Sequence, residues 1–140
     1  MFVFCLVLMA ANLPPDLAQV KAEPVLDKRA QLALDFAGQR LTDARAAYEK
    51  GEYKALPGFV DAITTGAELC ILSLEGMGKH PAKNVKSYKL AEKRMRELLR
   101  RVATFRSDVS FEDRAVVEKA ERRIGEIHEK LLEGALSRKP

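Results

Sequence analysis

The chemistry open to this 140-residue chain rests on two histidines, two cysteines and one regular row of lysines and arginines. A di-iron or di-manganese centre between helices takes Glu-x-x-His from two of them, because residues three apart share a face and converge on the metal. His128 has Gly125 at that spacing, and His80 stands before Pro81 in Gly76-Met77-Gly78-Lys79-His80-Pro81. Neither meets the pattern, so no metal is expected. A Ser-His-Asp centre lacks its nucleophile elbow. Gly76 and Gly78 lack the strand and spacing of a phosphate-cradling loop, so no cofactor is expected either. Cys5 lies in a segment expected to be removed, which leaves Cys70 alone with no disulfide or CxxC partner. Cys70 falls on an apolar helical stripe and reads as a small buried side chain. The chain therefore reads as a protein without a catalytic centre.

One pair of residues has a nucleolytic spacing. Arg123-Ile124-Gly125-Glu126-Ile127-His128 is Arg-x4-His on the last expected helix. It resembles the short motif of HEPN-type ribonucleases, and the resemblance implies Arg123 and His128 as the cleaving pair. The chain departs from that motif at Ile124, where the family carries a polar residue. Residues five apart on a helix also point about 140° away from each other. The alternative is a surface arginine and a histidine near a helix C-terminus, where its protonated form is favoured by the dipole.

The stronger chemical feature is charge. The formal net charge is a modest +4, but its distribution is uneven. Glu23 to Gly76 carries six Lys/Arg against nine Asp/Glu, whereas Met77 to Pro140 carries seventeen against ten. Within the second half, Lys86, Lys89, Lys93, Arg96 and Arg100 recur at spacings of three and four. That spacing lines them along one face of a helix. Lys79 and Lys83 extend the basic character into the preceding loop, while Arg94 and Arg101 lie on another flank. Such a face suits an anionic polymer, a membrane surface or an acidic protein. The other reading is a solvated face balanced by the acidic first hairpin, with Asp35, Asp43 and Glu49 as partners. Tyr88 belongs to an apolar stripe rather than to a stacking platform, and no element for reading bases is present.

The elements that must position this face are helical. Hydrophobic residues make up 47% and charged residues 31% of the chain, as in a soluble domain with its own core. Apolar residues recur at helical spacing in four segments, at about 25–50, 53–75, 82–106 and 111–134. Their stripes are Leu26/Ala30/Ala33/Ala37/Leu41/Ala44/Tyr48, Tyr53/Leu56/Val60/Ile63/Ala67/Cys70/Leu74, Tyr88/Ala91/Met95/Leu98/Val102/Phe105 and Val117/Ala120/Ile124/Ile127/Leu131. Gly51 follows the first segment where a left-handed residue is wanted. Pro57 either sits in the first turn of the second helix or distorts it. Ser110 and Asp113 resemble a capping box with Asp in place of Glu. Equal helices joined by short loops predict an all-α, antiparallel up-down-up-down four-helix bundle over residues 23–140. A long hairpin that dimerises into a bundle is the alternative. Leu34, Leu69, Leu72, Leu90 and Leu99 fall off the main stripes and are candidates for an apolar adaptor or oligomer interface.

Two further patterns concern context. Phe2–Ala11 is an apolar run of ten residues, too short to span a bilayer but suited to a signal peptide. Leu13-Pro14-Pro15 ends it, and a cut after Val20-Lys21-Ala22 makes residues 1–22 a leader and Glu23 the first mature residue. The run has no Lys or Arg before it, which leaves a start further upstream, an uncleaved anchor and an apolar tail on a cytosolic protein as alternatives to the cleaved leader. Tyr48-Glu49-Lys50-Gly51-Glu52-Tyr53-Lys54-Ala55 is similar to the turn of a tetratricopeptide unit, with its Ala one place early and no second copy. Ala46–Tyr53, the Gly78–Pro81 loop, Arg96–Arg101 and Ile127–Gly134 are together similar to small exported helical proteins of soil bacteria. That resemblance implies export to the periplasm, cell envelope or outside, and a helical fold. It implies no activity.

Overall fold

The computed structural model describes residues 16–78 and 84–137. The apolar run, Cys5, the Leu13-Pro14-Pro15 break, Lys79, His80, Pro81, Ala82, Lys83 and residues 138–140 lie outside them. Among the described residues the chain is all-helical, with five helices packed against each other: α1 (Leu17–Ala22), α2 (Leu26–Glu49), α3 (Leu56–Glu75), α4 (Val85–Asp108) and α5 (Arg114–Ala135). Short 3-10 turns at Tyr53–Ala55 and Phe111–Asp113 lead into α3 and α5.

The local grammar explains the ends. The chain leaves α2 through Gly51 at φ 81°, with the Gly51 amide donating to the Tyr48 carbonyl at 3.0 Å and the Glu52 amide to the Ala47 carbonyl at 2.9 Å. That pair of bonds is the Schellman ending, which satisfies carbonyls that the helix itself leaves free. Pro57 lies in the first turn of α3, where its missing N–H costs no helical bond. At the start of α5 the expected capping box does not form. The Ser110 amide donates to the Tyr48 hydroxyl at 2.7 Å, while Tyr48 and Ser110 hydroxyls both donate to Asp113 at 3.1 and 2.9 Å. Aspartate is one methylene shorter than the usual glutamate, and Tyr48 reaches in from α2 to take the backbone group in its place.

The apolar stripes close on one core. All six stripe residues of α4 and all five of α5 are buried, as are Ala30, Ala33, Ala37, Leu41 and Ala44 of α2. Tyr53, expected at the head of the α3 stripe, lies in the turn before that helix and is exposed. Leu34 is buried, at 4% exposure, so it belongs to the core and not to an adaptor surface. The buried face of α2 is wider than one stripe because α2 packs on both α3 and α4. Gly66 permits the close approach of α3: a Cβ there would stand 2.9 Å from the Ala33 carbonyl oxygen and from the Ala37 Cβ.

Packing partners follow hairpins more than sequence order. α2 packs most extensively on α3 and α4 on α5, while α3 meets α5 and α2 meets α4. α3 and α4, consecutive in sequence, meet only sparsely. The cross-links between α2 and α4 rise together in number, Asp35 with Arg94, Thr42 with Arg101 and Arg45 with Asp108, so these two run in the same direction. Nine residues separate Glu75 from Val85, enough chain to carry α4 away from α3 and place it beside α2.

Residues 16–22, assigned by the sequence to the end of a leader, fold as part of the domain. The Gln19 amide donates to the Asp16 carboxylate at 2.8 Å and the Asp16 amide to the Gln19 side chain at 3.0 Å, a complete capping box. Val20 of this short helix is fully buried against the core.

Candidate anion-binding face

α4 presents its apolar stripe inward, and the same 3.6-residue period turns Lys86, Lys89, Lys93, Arg96 and Arg100 outward. All five are exposed. Among the described residues no carboxylate lies within 4 Å of the ammonium groups of Lys86, Lys89 or Lys93. Arg96 stands 3.6 Å from Glu92, a loose i,i+4 pair. Arg100 pairs with Glu97. The hydrogen bond from Arg100 holds the Glu97 carboxyl below its ordinary range, and Glu97 in turn raises Arg100. Of the five cations, Arg100 alone is closely matched by a neighbouring anion, and three lysines are matched by none among the described residues.

The first-hairpin carboxylates expected as partners, Asp35, Asp43 and Glu49, form no ion pair with the row within 4 Å. Asp35 bonds Arg94 at 2.5 Å, on the flank of α4 that faces α2, where Arg94 also donates to the Gln31 carbonyl and side chain. Asp43 pairs with Arg40 and Gln39 of its own helix. Glu49 has no ion pair among the described residues. Arg94 and Arg101 thus face α2, distinct from the outward row. Leu90 lies within that row, between Lys86 and Lys93, and is 50% exposed. It lines a shallow depression with Lys93, Arg94, Arg96, Glu97 and Arg100.

The Arg123/His128 pair separates in space. Arg123 donates to Glu68 of α3 at 3.0 Å and to Glu126 at 3.1 Å, and these bonds raise its already high pKa. His128 lies on the other side of α5, its Nε2 3.0 Å from the Glu92 carboxylate of α4. The two side chains are engaged with different neighbouring helices and do not converge on one point. Among the described residues no group of three His, Cys, Asp or Glu side chains gathers as a metal would require. Cys70 is fully buried, and burial pushes its thiol up to about 12, far from the thiolate that reacts at neutral pH.

The outer row of α3 was not among the features expected from its apolar stripe. The helix holds three carboxylates, Asp61, Glu68 and Glu75, and no lysine or arginine. Their even spacing of seven was legible and marks one face. Tyr53–Glu75 is also apolar and long enough to cross a membrane by length and composition, yet it packs against α2 and α5. Compared with protein-family models, curated proteins and solved structures, the chain matches none.

Proposed function

We propose that this protein is a non-enzymatic binding module whose α4 face, Lys86, Lys89, Lys93, Arg96 and Arg100, receives an anionic partner. The observation that carries the reading is the exposure of all five on one face, with three lysines lacking a carboxylate within 4 Å among the described residues. Cations left without internal partners raise the local potential and draw an anionic polymer, membrane surface or acidic protein surface. On this reading α2 to α5 form a four-helix bundle of two side-by-side hairpins, a rigid frame that holds the row straight over about 21 Å from residue 86 to 100. The protein is exported, and its leader ends before Asp16, because a cut after Ala22 would remove Val20 from the core. N-terminal sequencing of the secreted chain beginning at Glu23 would refute that boundary.

The test is binding to a linear polyphosphate and to anionic vesicles across a salt series. Binding is expected at low ionic strength, with log affinity falling linearly against log salt. Changing all five residues to Gln should abolish it. Equal binding by that variant, or binding insensitive to salt, removes the reading.

A further inference from the structure

We propose that the anionic partner of the α4 face is the α3 face of a second copy of this chain, so that copies dock head to tail. This rests on the reading of α4 as an anion-receiving face. It adds the identity of the anion.

The two faces carry the same pattern with opposite charge. On α3, Asp61, Glu68 and Glu75 are spaced by seven; on α4, Lys86, Lys93 and Arg100 are spaced by seven. Seven residues rise about 10.5 Å in a helix, so the two rows have matching pitch. Between the charges, at the same offset of four, stand Thr65 and Leu72 on α3 and Leu90 and Glu97 on α4. Laid antiparallel, Glu75 meets Lys86, Glu68 meets Lys93 and Asp61 meets Arg100. In that register Leu72 falls beside Leu90, and the Thr65 hydroxyl lies near the Glu97 carboxylate. The parallel register sets Leu72 against Glu97 and leaves Leu90 on Thr65, so it pairs the charges but not the leucines.

Exposure agrees with docking. Leu72 is 61% exposed and Leu90 50%, two leucines in the open at matching places of oppositely charged rows. Asp61 and Glu75 are exposed and make no ion pair among the described residues; Glu68 shares its carboxylate with Arg123. An apolar contact flanked by complementary charges is the arrangement that selects partner and register between helices. α3 and α4 meet only sparsely within one molecule, so both faces can be occupied at once. A contact between two different faces leaves one face free at each end, and it propagates as an open chain unless the rotation between copies closes it into a ring.

Sedimentation of the full chain at low and high salt tests this. At about 20 mM salt the average mass should rise with concentration above that of the monomer and return to it at about 0.5 M. Lys86→Gln/Lys93→Gln/Arg100→Gln and Asp61→Asn/Glu68→Gln/Glu75→Gln should each be monomeric alone. Mixed, they should form a one-to-one pair and nothing larger, since each keeps one competent face. Leu72→Lys, which alters one exposed side chain and no ion pair, should also weaken association. A wild-type monomer at low salt and high concentration overturns the proposal, as does association by either triple variant alone or a mixture that stays monomeric. The α3 variant separates the two readings. If it binds polyphosphate while wild type never self-associates, only the self-docking is lost. If polyphosphate binding also fails, the α4 face is no binding face at all.

Discussion

The two hairpins are built from helices of similar length, but their seams differ in kind. At the closest point of the α2/α3 seam stand small residues, with Leu41, Ile63 and Leu74 buried elsewhere on these helices: Ala33, Ala37 and Gly66 bring the backbones so close that one added Cβ would lie 2.9 Å from a carbonyl oxygen. The second hairpin is filled by large side chains, with Met95, Val102, Phe105, Ile124, Ile127 and Leu131 almost wholly buried. Small residues give close dispersion contact and little apolar area, whereas large ones give area and tolerate small shifts. The first seam is therefore vulnerable to added volume at a backbone contact and the second to lost volume, with Gly134 beside the Tyr88 ring the one tight glycine among the described residues of the second. α1 docks on α2 and adds Val20 to the core.

Loss of volume in the second hairpin should have the largest effect. Phe105 is 2% exposed, and the Tyr48 ring stacks edge-on to it at 6.1 Å while Arg45 sits 5.1 Å above it. Phe105→Ala should cost about 3–5 kcal/mol in a urea unfolding series, because transfer and cavity contributions add. A cost below about 1 kcal/mol would show that the second hairpin relaxes as readily as a surface. Added volume should matter most where the obstacle is backbone, as it is in the first. Gly66→Val should cost about 2–3 kcal/mol, since the atoms that a side chain meets include the Ala33 backbone, which cannot rotate away. At Gly125 of the second hairpin an added Cβ would meet nothing within 4 Å, so Gly125→Ala should gain or lose less than about 1 kcal/mol. Equal costs for Gly66→Val and Gly125→Ala would show that the Gly66 contact is no tighter than open helix surface.

Most of this frame was legible because helical periodicity and burial share one cause. Every stripe residue expected for α4 and α5 is buried, since those helices show a single apolar face to a single core. The α2 stripe was incomplete because two neighbours bury two flanks, and Leu34 and Phe36 look misplaced on a one-face pattern. The short α1 was missed although Asp16 and Gln19 carry a capping-box spacing; its nearness to the apolar run masked it as leader. At Ser110 the spacing was legible and its consequence was not, because the Tyr48 hydroxyl arrives from a residue 62 positions away. For the basic row, residue spacing gave the shared face. Whether acidic residues cover it depends on which flank of α4 meets α2, and that is set by packing. The matching row on α3 could have been found by asking where carboxylates repeat without any lysine between them.

The smallest effect separates the seams by pH. Cys70 is in α3 and its thiol is pushed up from 9.0 to about 12, chiefly by burial, with a minor opposing effect of Arg94. Below pH 9 the folded and unfolded chains both hold the proton, and stability does not depend on this group. Above it the unfolded chain releases the proton while the folded chain keeps it, so the unfolded state gains and stability falls as pH rises toward 12. The Tyr88 phenol of α4, raised by burial and by the nearby Glu75 carboxylate, acts in the same direction. The urea midpoint should therefore drop as pH rises from about 9 toward about 12, and drop less in Cys70→Ala. Tyr88→Phe should leave the Cys70 share of the slope in place. In the native protein Cys70 should resist thiol reagents until denaturant is added, because attack needs an exposed thiolate. Rapid labelling without denaturant would mean that the close-packed first seam opens locally, and that its small residues permit motion where the static contact suggests none.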